Sequence, residues 1–159
     1  MELWTYRKQL ALDLPGTLAS ICKLGFTDVE TASFYGRTHA EFRKELGKAG
    51  LSCSSYITGY DRFSKELEAV VSDAKALGAC YVLTAGIPHN GNFTLEDCQR
   101  TAKDFNQWGE KLRAQGLQFG YHPHGFEFVQ NSHRSHRLDN PLSAWYSLLV
   151  LFRAHSSVG

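Results

Sequence analysis

The 159-residue chain has only four cysteines, Cys22, Cys53, Cys80 and Cys98, and no two of them form a C-x-x-C pair. A zinc–thiolate site and a disulfide framework are therefore not expected. Three of the four fall at apolar positions of expected elements, which reads as buried free thiols. A basic block is missing too: 17 lysines and arginines are interspersed among 16 acids, for a formal net charge of +1. Nucleic acid is accordingly not the expected partner. Long apolar runs are lacking, and Leu148 to Phe152 is far shorter than the roughly 20 residues of a membrane span. The opening Met-Glu-Leu-Trp-Thr-Tyr has neither the charged nor the apolar region of a signal peptide. What remains is 43% hydrophobic and 21% charged, an ordinary composition in a chain of single-domain size. A cytoplasmic enzyme or binding domain is the expectation.

The most informative stretch is Leu117 to Phe128, Leu-Gln-Phe-Gly-Tyr-His-Pro-His-Gly-Phe-Glu-Phe. Its first half alternates as a strand, with Leu117, Phe119 and Tyr121 on one side and Gln118, Gly120 and His122 on the other. Pro123 removes a ladder donor and ends the strand. His124 and Glu127 follow, so two imidazoles and a carboxylate gather where a buried strand opens into a loop. In α/β sheets and barrels that is where chemistry is placed.

Upstream, the pattern repeats. Leu3 to Tyr6 reads as a first strand with Arg7 at its carboxyl end, and Asp13 and Pro15 start a helix that Gly25 stops. Phe26 to Glu30 is a second strand. Thr38 and Glu41 form a capping box for a helix closed by Gly50. Leu51 to Ile57 is a third strand, and a helix from about Asp61 to Leu77 ends at Gly78. Cys80 to Thr84 is a fourth strand. Thr94 caps a last helix with Leu95, Cys98, Ala102, Phe105, Trp108 and Leu112 inward and Gly116 as its stop. Gly25, Gly50, Gly78 and Gly116 recur roughly every 25 to 38 residues, the length of one strand–helix unit. Such alternation implies a parallel sheet. After Phe128 the pattern fails: 129–140 is rich in His and Arg, and only 142–153, with Trp145, Leu148, Leu149 and Phe152 on one face, reads as a further helix.

Four segments together resemble the xylose-isomerase-like TIM-barrel family, the sugar phosphate isomerases and epimerases, distantly related to endonuclease IV. They are Leu-Trp-Thr-Tyr-Arg at the start, Leu24 to Glu30, Ala76 to Val82, and Tyr121 to Phe128. The resemblance covers residues 1–128 and leaves 129–159 as a divergent tail, so the chain reads as a truncated member. It implies an incomplete (β/α) barrel of about five strand–helix units, curved as a barrel sector, with four helices outside. It also implies a sugar or sugar phosphate substrate, and proton transfer next to a carbonyl assisted by a divalent metal ion (Mn, Co, Zn or Mg) in complete homologues. His122, His124 and Glu127 match the strand-five segment and are the expected metal ligands. Glu127 and His122 are the expected catalytic pair, and Arg7, Glu30 and His124 are expected to bind substrate. Family members carry Asn and Asp where this chain has Pro123 and Gly125. The family's remaining ligands, an Asp, a His and a Glu, come from later strands, so metal binding here is expected to be weak or absent and turnover low. The competing reading is a non-catalytic half-barrel, a fragment or binding module, that self-associates through open edges. A zinc nuclease is a third reading, against which the charge of +1 speaks. His89, in a Pro/Asn/Gly turn, and the His133–His136 cluster read as loop residues.

Overall fold

The computed structural model describes residues 1–124. The expected tail, the helix 142–153 and Glu127 lie outside the described residues. Within them a parallel sheet is built from β1 (Asp28–Thr31), β2 (Ser52–Thr58), β3 (Tyr81–Thr84) and β4 (Gln118–Tyr121), in that spatial order. Six helices accompany it: α1 (Arg7–Leu12), α2 (Leu14–Lys23), α3 (His39–Lys48), α4 (Tyr60–Lys65), α5 (Leu67–Leu77) and α6 (Leu95–Arg113).

The start signals act as expected. Asp13 accepts from the Gly16 N–H at the head of α2, with Pro15 in the first turn. Thr38 with Glu41, and Thr94 with Asp97, form reciprocal capping boxes on α3 and α6. Gly78 ends α5 at φ +79°, where a side chain is strained and an added Cβ would stand 2.9 Å from the Arg43 guanidinium carbon.

Two expectations fail. Leu3–Tyr6 is not a strand but a 3₁₀ turn leading into α1. Leu3, Tyr6 and Leu10 recur at i, i+3 and i+7, so the same residues suit a helical face, and Leu3 and Leu10 are both buried. Pairing passes instead to the two residues before them. The Met1 ammonium donates to Asp28 O at 2.8 Å, Glu30 N–H donates to Met1 O at 2.8 Å, and Glu2 bridges Glu30 in parallel. The second failure is the helix from Asp61 to Leu77, which breaks at Glu66 (φ −137°, ψ 36°) into α4 and α5. Arg62 spans the break, with Nε on Glu66 at 3.3 Å and Nη2 on Asp73 at 2.8 Å.

Strand parity sorts the sheet into two faces. Val29, Thr31, Cys53, Tyr56, Val82, Thr84 and Phe119 turn to the helices and are buried. An aromatic cluster secures β4 there: the Phe119 ring lies 4.9 Å from Phe105, 5.2 Å from Phe63 and 5.8 Å from Trp108. On α6, Cys98, Phe105, Trp108 and Leu112 point inward as expected, whereas Leu95 is 38% exposed and Thr101 takes a buried place instead. The opposite face carries Glu30, Ser55, Ile57, Tyr81, Leu83, Gln118 and Gly120, aligned row by row by the strand register.

Candidate functional site at the carboxyl ends of the strands

Glu30 reaches the inner face by the alternation of β1, in which Val29 and Thr31 are buried and Asp28 and Glu30 are not. Val29 pairs with Cys53 but Glu30 pairs with Ser55, leaving Ser54 as the extra residue of β2. The bulge re-aims β2, so that Ser55 and not Ser54 stands beside Glu30. His122 leaves β4 two residues beyond Gly120, and its N–H donates to Thr84 O at 2.9 Å, which fixes its direction from the ladder. Gly120 keeps this row close to β3, since an added Cβ would stand 3.0 Å from Leu83 Cγ.

Ligand atoms of Glu2, Glu30 and His122 lie within 4.8 Å of one another, and all three residues are half-buried. Glu30 and His122 stand on strands three spacings apart, about 14 Å in a flat sheet. Their meeting shows that the sheet curls as a barrel wall does.

Among the expected site residues, the structure thus brings Glu30 and His122 together and adds Glu2, which sequence reasoning missed. Its signal was position: it immediately precedes the apolar Leu3 and sits one strand from Glu30. His124 is exposed, with its ring 5.2 Å from that of His122. Arg7 is exposed, donates to Trp4 O at 3.0 Å and lies over the Trp4 ring at 4.9 Å. His89 is bonded within its own turn, Nδ1 to Ile87 O at 2.8 Å.

The loops after β1, β2 and β3 surround an open, mainly apolar cavity of about 730 Å³ lined by Phe34, Tyr56, Ile57, Tyr60, Arg62 and Ile87 among others; Glu2, Glu30 and His122 are not part of its lining. Its polar wall is a network: Arg62 donates to the Tyr56 hydroxyl at 2.8 Å and to Asp73, which also meets His39 Nδ1 at 3.2 Å. Burial, reinforced by its hydrogen bond to Asp104, pushes the Tyr60 hydroxyl well above its ordinary range, so it stays a proton donor. The loop from β1 is strained at Tyr35, a non-glycine residue at φ +52° whose carbonyl accepts from Arg37 at 2.9 Å.

No protein-family model matches the chain, and no curated protein matches it. Solved structures do. A sugar phosphate isomerase/epimerase from Parabacteroides distasonis superposes with a TM-score of 0.73 at 20% identity, over 93% of this chain and 60% of its own. A xylose isomerase-like TIM barrel/4-hydroxyphenylpyruvate dioxygenase fusion protein matches with a TM-score of 0.61 at 21% identity, over 87% of this chain and 23% of its own. These likenesses show the fold, part of a TIM barrel. An AP endonuclease, family 2, from Brucella melitensis matches at 0.58 and 16% identity, over 84% and 58%. The chain therefore spans about three fifths or less of each neighbour. The TIM-barrel comparison matches the sequential parallel sheet, and Glu2, Glu30 and His122 lie toward the carboxyl ends of its strands.

Proposed function

We propose that residues 1–124 form the early wall of a sugar or sugar phosphate isomerase/epimerase site that moves a proton next to a carbonyl. The observation that carries this reading is the convergence of Glu30 and His122, from distant strands, at the barrel mouth. The neighbour with the TM-score of 0.73, described as a sugar phosphate isomerase/epimerase, supports it. In this reading the sugar lies at the mouth between Glu30 and His122. Glu30 accepts from sugar hydroxyls, and His122 exchanges a proton with the carbon beside the carbonyl or with its oxygen. His124 flanks the substrate, and Glu127 partners His122 in the complete site. A divalent ion (Mn, Co, Zn or Mg) would be held by His124 and Glu127, with His122 either completing its shell or left as the base, and would polarise the carbonyl. The test is deuterium wash-in at the carbon next to the carbonyl of a ketose phosphate in D₂O. Slow incorporation that disappears in His122→Ala and Glu30→Gln is expected. Incorporation no faster than in those variants contradicts the reading.

One observation favours a second reading, a non-catalytic sector covered by a partner or a second copy. On the inner face Tyr81 is 45% exposed, although a closed barrel would fill that interior. Sedimentation separates the two: a monomer at micromolar concentration counts against self-association. Nucleic acid remains the weakest choice, since 17 lysines and arginines are balanced by 16 acids. No helix among the described residues is long and apolar enough to cross a membrane.

A further inference from the structure

We propose that the cavity between the loops after β1, β2 and β3 is a second small-molecule site, one that takes an uncharged planar aromatic ring. It is separate from the mouth assigned above, since Glu2, Glu30 and His122 are absent from its lining. Its volume of about 730 Å³ lies within the roughly 300–1,000 Å³ of small-molecule pockets and suits a molecule of one or two rings.

The chemistry of the walls narrows the occupant. Among the described residues two charged side chains line the cavity, Asp61 and Arg62, and both are answered within the chain. Asp61 meets Lys65 at 3.1 Å, and Arg62 meets Asp73 at 2.8 Å and Glu66 at 3.3 Å. A phosphate or carboxylate would therefore find no uncommitted cation in this lining, and an ammonium no uncommitted acid. Polar tips are tied as well. The Tyr56 hydroxyl accepts from Arg62 Nη1 at 2.8 Å, and the Tyr60 hydroxyl donates to Asp104. What these groups have left to offer is flat surface: the rings of Phe34, Tyr56 and Tyr60, and a guanidinium whose three nitrogens are all engaged. Aromatic rings stack on such surfaces, and on a guanidinium plane too. The planes are also held in place by their neighbours. Tyr60 lies 4.7 Å from the Trp108 ring, and Phe34 lies 5.6 Å from Phe42 and 4.2 Å from His39. Walls ordered in advance spare a ligand the cost of ordering them.

Indole, flat and uncharged, is the probe, with cyclohexanol as a non-planar apolar control. Each is added to the full chain while the histidine and aromatic NMR signals are followed. Indole should shift the neighbouring Phe34 and His39 rings saturably and leave His122 unmoved. Cyclohexanol should bind roughly two- to tenfold more weakly, the value of one lost ring pair. Phe34→Leu keeps an apolar wall without the ring, and Arg62→Lys keeps the charge without the plane. Each should weaken indole by roughly the same two- to tenfold, and Phe34→Leu carries the test if Arg62→Lys fails to fold by circular dichroism. Tyr81→Ser, on the open inner face, should leave indole affinity unchanged. Unmoved His39 signals at millimolar indole overturn the site, as does equal affinity for cyclohexanol or full affinity in the folded variants. Loss of binding in Tyr81→Ser places the ring on the inner face and overturns it too. Displacement of indole by a ketose phosphate would make the cavity part of the sugar site, with the same result. A failed deuterium wash-in with indole binding intact would refute the sugar reading alone.

Discussion

Replacing Phe119 by alanine tests how His122 is held in place. Phe119 is 6% exposed, and its ring meets Phe105, Phe63 and Trp108 at 4.9, 5.2 and 5.8 Å. A buried Phe→Ala change costs about 3–5 kcal/mol through lost transfer energy and the cavity left behind. The three ring pairs, each about 0.5–1.5 kcal/mol beyond area burial, put this site in the upper part of that range. Domains of this size have roughly 5–15 kcal/mol in hand, so about 4 kcal/mol consumes a large share of it. Phe119→Leu, which keeps most of the volume, should cost about 1–2 kcal/mol. Urea denaturation followed by tryptophan fluorescence gives both values, with the slope unchanged if only the folded state is affected. The variant that folds, Phe119→Leu, should also broaden the His122 resonances, because the strand that aims the ring has lost its anchor. A cost below about 1 kcal/mol for Phe119→Ala would refute the view that this cluster secures β4.

Three further outcomes are expected. At the head of α6, burial works against ionisation of Asp97, but the Thr94 hydroxyl and N–H outweigh it and hold the carboxyl below its ordinary 3.8. That stabilisation is full above the unfolded value and is lost as pH falls through the folded one, so Thr94→Ala should cost about 1 kcal/mol at pH 7. The same change should flatten the acid limb of a stability–pH curve. Burial pushes the Cys53 thiol up to about 12, and Cys98 is also buried, whereas Cys80 is exposed. A thiol reagent at neutral pH should therefore label Cys80 first, and Cys53 and Cys98 only after unfolding. Gly120→Ala should cost about 1–3 kcal/mol by driving a methyl onto Leu83, and Leu83→Ala should rescue it; additive losses in the double variant would count against that contact.

Most of the described architecture was legible because its signals are local. Caps at Asp13, Thr38 and Thr94 and glycine stops mark helix ends by backbone hydrogen bonding, which needs no knowledge of the fold. Alternation marked β4 and correctly turned Gly120 and His122 away from the helices. Leu3–Tyr6 was misread because four residues cannot distinguish a period of 2 from one of 3.6 when the next apolar residue, Leu10, suits the helix. The break at Glu66 was hidden because Phe63 and Val70 keep one stripe across it. The site was legible only in part. Glu30 and His122 could be named from their strand ends, but their meeting depends on sheet curvature. The partnership of Glu2 depends on a bridge between residues 28 apart in sequence.

The measurement that bears most directly on the proposed function is a histidine NMR titration of the full chain with a ketose phosphate. The account predicts saturable shifts in the His122 ring, smaller ones at its neighbour His124, and none at His39 or His89. These shifts should be lost in Glu30→Gln while the fold persists. Unmoved His122 resonances at millimolar ligand, or shifts confined to His89, would contradict it.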